Sequence, residues 1–154
     1  MTGEKRFDEA ADRLQRLEDI RAIEDLIHRY AWHVPRCEVE ELVALFTDDG
    51  EFDSAGLILR GRHALRGYFA ALSPNLSSPL IANILVDVEG DRATATCKMT
   101  TPWVGDGPSL VGYYEDAFSR SEGRWRFVRR RFRLHEHPAP GATIPNPPPT
   151  HVRK

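Results

Sequence analysis

Between Leu14 and Val34 the apolar residues Leu14, Leu17, Ile20, Ile23, Ile27, Tyr30 and Val34 recur every three or four positions, with Arg, Glu and Asp between them. That spacing predicts one long amphipathic helix with a single apolar stripe. Pro35 is expected to end it, because the residue before a proline avoids the helical region. A second, short helix is predicted from Glu38 to Phe46, burying Val39, Leu42, Val43 and Phe46, with Asp48-Asp49-Gly50 as its breaker. Glu51 to Asp53 reads as a short strand. A third helix is predicted from His63 to Leu72, apolar at Leu65, Tyr68, Phe69 and Leu72, and followed by a Ser/Pro/Asn loop to Ser78.

The period then falls to two. Ala82, Ile84, Val86 and Val88 alternate with other residues, and after the turn at Glu89-Gly90-Asp91 so do Ala93, Ala95, Cys97 and Met99. This predicts a hairpin with one apolar face. Strands at about Leu110 to Ser119 and Arg124 to Leu134 complete a four-stranded antiparallel meander. In the last of these, Trp125 and Phe127 are apolar at odd positions and Val128, Phe132 and Leu134 at even ones. Such a change of parity is what a β-bulge produces. Three helices followed by a meander give an α+β class. A twisted sheet around a long helix leaves room for a small apolar ligand at its open end.

The chain has 154 residues, suited to a single domain over 1–154, with a core of about 12–135 and a proline-rich tail from residue 138. The net charge of −2 and the mixed signs along the chain argue against a nucleic-acid partner. No apolar run nears the about 18 residues that span a bilayer, and no signal-peptide core opens the chain. Cys37 and Cys97 have no metal-ligand spacing. Two free thiols in a reducing cytoplasm is the expectation.

Several blocks together resemble the SnoaL-like branch of the nuclear transport factor 2-like superfamily. They are Ile23-Glu-Asp-Leu-Ile-His-Arg-Tyr-Ala31, Leu42-Val-Ala-Leu-Phe-Thr-Asp-Asp49, Gly61-Arg-His-Ala-Leu-Arg-Gly-Tyr-Phe69, Asn83 through Ala95, and Gly123-Arg-Trp-Arg-Phe-Val-Arg-Arg-Arg131. The resemblance, to scytalone dehydratase and hexachlorocyclohexane dehydrochlorinase among others, implies a cone-shaped barrel: a curved antiparallel sheet around a long N-terminal helix, with three helices in total. It implies a largely apolar pocket, no cofactor, and a homo-oligomer of two or three copies. It also implies proton abstraction by a His-Asp dyad, the Asp orienting the imidazole. At the matching positions this chain has Pro35 for the Asp and Pro79 for the His. Neither can move a proton. The expected function is therefore binding of a small, largely apolar molecule, with a lyase or isomerase using a non-standard residue set, a non-catalytic ligand-binding or oligomerisation module, and a small subunit of a larger enzyme as the forms it can take.

Other residues are candidates for the chemistry. His33 follows Tyr30 by three on the predicted helix, so the two can share a pocket-facing side. His33 can act as a base near neutral pH, or merely hydrogen-bond a carbonyl at the helix end. Tyr30 can orient a ligand through its hydroxyl, or be core. Phe52 and Asp53 are ligand-binding candidates from the short strand, Asp53 being alternatively a cap. Trp103 is placed at the pocket mouth. Arg129 and Arg131 can bind an anionic oxygen if the bulge turns them inward, or form a solvated row. His135-Glu136-His137 has two histidines on one side of an extended segment but no third ligand, so no metal is assigned.

Overall fold

The computed structural model describes residues 2–72, 79–101 and 110–135, with side chains from residue 5 onward. Among them the elements are α1 (Thr2–His33), α2 (Val39–Ala44), β1 (Phe46–Ser54), β2 (Leu57–Arg60), α3 (Gly61–Ala70), β3 (Leu80–Glu89), β4 (Arg92–Thr101), β5 (Leu110–Ser121) and β6 (Arg124–Leu134). The strands form one sheet in the order β2-β1-β6-β5-β4-β3. The expected α+β cone is there: a curved, unclosed sheet wraps the second half of α1, and α2 and α3 close one end.

The meander β3 to β6 is antiparallel, as the period-two pattern predicts. The sheet nonetheless has six strands rather than four. The β1–β2 hairpin joins it with β1 parallel to β6. Asp48-Asp49-Gly50, expected as the breaker of the second helix, lies inside β1. Asp48 and Asp49 are exposed there, at a register shift between Phe46 and Glu51, so strand pairing resumes beyond them. A Cβ on Gly50 would sit 2.9 Å from the Cβ of Phe46, so only glycine lets the chain fold back this closely. The second predicted helix stops at Ala44, because Phe46 already belongs to β1.

The apolar stripe of α1 starts later than its periodicity suggests. Leu14 and Leu17 are 58% and 64% exposed, whereas Ile23, Ile27, Tyr30 and Val34 are buried. Residues 5–18 are all exposed among the described residues, and of these Arg16 reaches the sheet, at Val88 O and Asp87. Asp19 marks where burial begins. Its Oδ1 accepts hydrogen bonds from Arg120 Nη1 at 2.7 Å and Trp125 Nε1 at 2.9 Å, tying α1 to the β5–β6 hairpin. The tight turn of that hairpin has Glu122 and Gly123 both at positive φ, the geometry that matches the strand twist.

Two bulges decide which side chains face α1. In β3 the register shifts between Ala82 and Leu85, where Asn83 has a φ of 53°. Ile81 therefore packs on the core together with Ile84 and Val86, and Ala82 is exposed, contrary to the simple alternation. In β6 the bulge lies at Val128, skipped between the pairs Phe118↔Phe127 and Ala117↔Arg129. It lies within the stretch where the sequence changes parity. Beyond it the inward residues are Arg130 and Phe132.

Candidate functional site

A cavity of about 150 Å³ lies between the C-terminal half of α1, the end of α3 and the inner face of the sheet. Val34, Phe52, Leu72, Met99, Leu110 and Phe132 supply its apolar lining. Its polar lining is Tyr30, Tyr114, Tyr68, Ser54 and Thr101. Among the described residues no carboxylate, imidazole, guanidinium or amine lines it.

Each hydroxyl is held in place. Tyr68 and Ser54 share a 2.9 Å hydrogen bond. Thr101 Oγ1 donates to Met99 Sδ at 3.1 Å. The Tyr30 and Tyr114 hydroxyls are neighbours that interact with each other, and both residues line the cavity. The Tyr30 ring is fixed by five aromatic neighbours, Phe46, Phe52, Phe69, Tyr114 and Phe127, with centroids 6.0 to 6.5 Å away. Burial raises the phenol of Tyr30 well above its ordinary value and pushes Tyr114 up to about 12. Both are neutral donors at physiological pH.

Behind the two tyrosines sits a fully buried arginine. Arg130 Cζ lies 3.7 Å from the Tyr114 ring centre, 4.2 Å from that of Tyr30 and 4.7 Å from that of Phe127. Its counter-charge is Asp116, also buried, at 3.7 Å from Nη1. That is too long for a hydrogen bond, so the pair is held by charge alone. Burial pushes the Asp116 carboxyl up to about 7, against the pull of Arg130. Burial likewise pushes the Cys97 thiol, beside Arg130, up to about 11.

The sequence candidates separate into three groups. Tyr30 and Phe52 line the cavity. His33 does not. It is half-buried in a different, outer cleft with Asp25, Arg29 and Arg126, and its Nδ1 is 2.6 Å from Glu38 Oε2. The helical offset of three turns it away from the face that Tyr30 uses. Asp53, Arg129 and Arg131 lie on the opposite side of the sheet from the cavity, because Phe52, Arg130 and Phe132 take the inward positions between them. There Asp53 accepts from Gly56 N–H at 2.8 Å and pairs with Arg133 at 2.9 Å. Burial opposes the Asp53 carboxylate, but those partners outweigh it and hold the carboxyl below the usual range. Trp103, Glu136 and His137 fall outside the described residues. Tyr114, the neighbour of Tyr30, and Arg130 are what sequence reasoning missed. The signal was the bulge itself: the even-numbered set that contains Phe132 also contains Arg130.

A SnoaL-like domain matches residues 15–131. The chain belongs to the SnoaL-like family. A nuclear transport factor 2-like protein with a cystatin-like fold from Novosphingobium aromaticivorans is 31% identical, over 84% of this chain and 90% of that one, with a TM-score of 0.76. A Mycobacterium tuberculosis protein of unknown function is 28% identical over 80% of this chain and 75% of its own, with a TM-score of 0.75. A proposed scytalone dehydratase, also from Novosphingobium aromaticivorans, is 28% identical over 79% of this chain and 87% of its own, with a TM-score of 0.70. No curated protein matches. Pro79 is buried on the cavity wall just before β3, and Pro35 follows α1. A proline at either place offers no proton acceptor.

Proposed function

We propose that this chain binds a small, largely apolar molecule in the cavity beneath α1, with the Tyr114 hydroxyl, oriented by Tyr30, reading one oxygen of that molecule. The observation that carries this is a mostly apolar wall to which Tyr30 and Tyr114 bring hydroxyls, beside those of Tyr68, Ser54 and Thr101, which already have partners. Burying an oxygen there is favourable only if it meets a donor. Without a described base on the wall, binding ranks ahead of turnover. A second reading, a lyase or isomerase, draws on the same hydroxyl: a donor on a carbonyl oxygen stabilises the charge that develops when a neighbouring C–H is deprotonated. The 28% identity with a proposed scytalone dehydratase supports that class. We further propose that the chain acts as one unit in the cytoplasm, as a homo-oligomer of two or three copies. No described helix is long and apolar enough to cross a membrane.

A thermal-shift screen with phenol, 4-methylphenol and cyclohexanone tests the binding. The wild type should be stabilised in proportion to ligand concentration. Val34→Trp, which fills the cavity from α1, should show no such shift. Equal stabilisation of this variant, or none of the wild type by any compound, overturns the proposal.

A further inference from the structure

We propose that the cavity selects ligands whose oxygen is acidic, phenols and enols bound with that oxygen partly or wholly ionised, and that Arg130 is the residue that sets this preference by acting through the tyrosine pair. The inference rests on the binding reading above and names the ligand class for the same cavity.

Arg130 does not touch the cavity; Tyr30 and Tyr114 do. Its guanidinium lies against the faces of both rings, at 4.2 and 3.7 Å from their centres. A cation on a ring face draws electron density from the ring. The phenol O–H then donates more strongly, and negative charge on or beside its oxygen is stabilised. Burial works against a phenolate here and raises both tyrosines, but Arg130, itself wholly buried and so poorly screened, pulls the other way.

Nothing on the described wall opposes an anion. The nearest carboxylate, Asp116, lies on Arg130 and does not line the cavity. Its contact with Arg130 is not a hydrogen bond, and Nε and Nη1 of Arg130 have no hydrogen-bond acceptor among the described residues. The guanidinium charge is therefore only loosely compensated. A neutral carbonyl gains little from that charge, whereas an ionising hydroxyl gains much more. At about 150 Å³ the space suits a one-ring molecule rather than a drug-sized one.

The test uses para-substituted phenols of similar size and rising acidity: 4-methylphenol, 4-chlorophenol, 4-cyanophenol and 4-nitrophenol. Each is titrated calorimetrically into the full-length protein at a pH where it is neutral in water. Wild-type affinity should rise along the series by about tenfold, the size of one desolvated cation–π contribution. Bound 4-nitrophenol should absorb as the phenolate, its proton released to the buffer on binding. In Arg130→Met the four phenols should still bind, with affinities level to within about twofold, and the nitrophenol spectrum should return to the neutral form. Arg130→Lys, which keeps a buried charge, should restore part of the slope. A purely structural arginine would lower all four affinities alike and leave slope and spectrum unmoved. Should Arg130→Met fail to fold, the wild-type series and spectrum decide the ligand class, and Arg130→Lys decides the residue. A level series in the wild type, with all four phenols bound, overturns this inference and leaves the binding reading standing. No binding of any phenol, or equal binding by Val34→Trp, overturns both.

Discussion

Tyr30 was a candidate from its place on an apolar stripe, which left open whether it was core or site. It is both. Its ring is packed among five aromatic rings while its hydroxyl lies beside that of Tyr114 at the cavity. Replacing Tyr114 by Phe keeps the ring stack and removes only the ligand-facing donor. Affinity for 4-nitrophenol should fall about tenfold by calorimetry, the worth of one hydrogen bond in a dry site. His33→Ala should change that affinity by less than about twofold, since His33 sits in another cleft against Glu38. A larger loss in His33→Ala would return the imidazole to the site. The offset of three between residues 30 and 33 was legible in the sequence. The side of α1 that the sheet covers was not, because a helix net gives the angle between two residues but not where the neighbouring strands lie.

At the scale of elements, function depends on where β5 and β6 hold Tyr114 and Arg130. Gly112 permits their closest approach. A Cβ there would fall 2.2 Å from the Arg133 carbonyl oxygen and 2.6 Å from the Phe132 ring. Gly112→Ala should cost about 1–3 kcal/mol by urea denaturation, as overpacking does. It should also weaken phenol binding, because Phe132 lines the cavity. Asp19 governs how α1 meets the same pair of strands. Asp19→Ala strips the bonds from Arg120 and Trp125 and should cost about 2–3 kcal/mol in the same assay. A change below the error of the fit would show that packing alone seats the helix. The bulge in β6 could be read from the change of apolar parity. Of β1 only Glu51 to Asp53 could be, and β2 could not. Acidic residues and glycine inside β1 look like a turn locally, and they become a strand only because β6 offers a parallel edge to pair with.

For the molecule as a whole, the buried Asp116–Arg130 pair links stability to pH. Burial raises the Asp116 carboxyl from 3.8 to about 7. Between those values the folded chain keeps a proton that the unfolded chain has released. Its contribution is therefore fully present below about pH 4, falls as pH rises, and is gone above about pH 7. Asp116→Asn cannot titrate. The stability difference between wild type and Asp116→Asn, measured by urea denaturation, should decline across that window and level off beyond it. Carboxylates held low in the fold, such as Asp53, act in the opposite sense but cancel in the difference. A difference that grows with pH would mean that the carboxylate is ionised throughout.

The sequence by itself determined the class of the fold, the three helices, the β3–β6 meander and the family. These follow from short-range pattern: periodicities of 3.6 and 2, turn residues, and residue identity at matched positions. Only the tertiary structure decided that the cavity is read by a tyrosine pair, that a buried arginine stands behind it, and that His33, Asp53, Arg129 and Arg131 lie elsewhere. The physical reason is that one unpaired residue in a strand reverses every side chain after it. A charged residue then becomes core, and no local preference of Arg130 announces it.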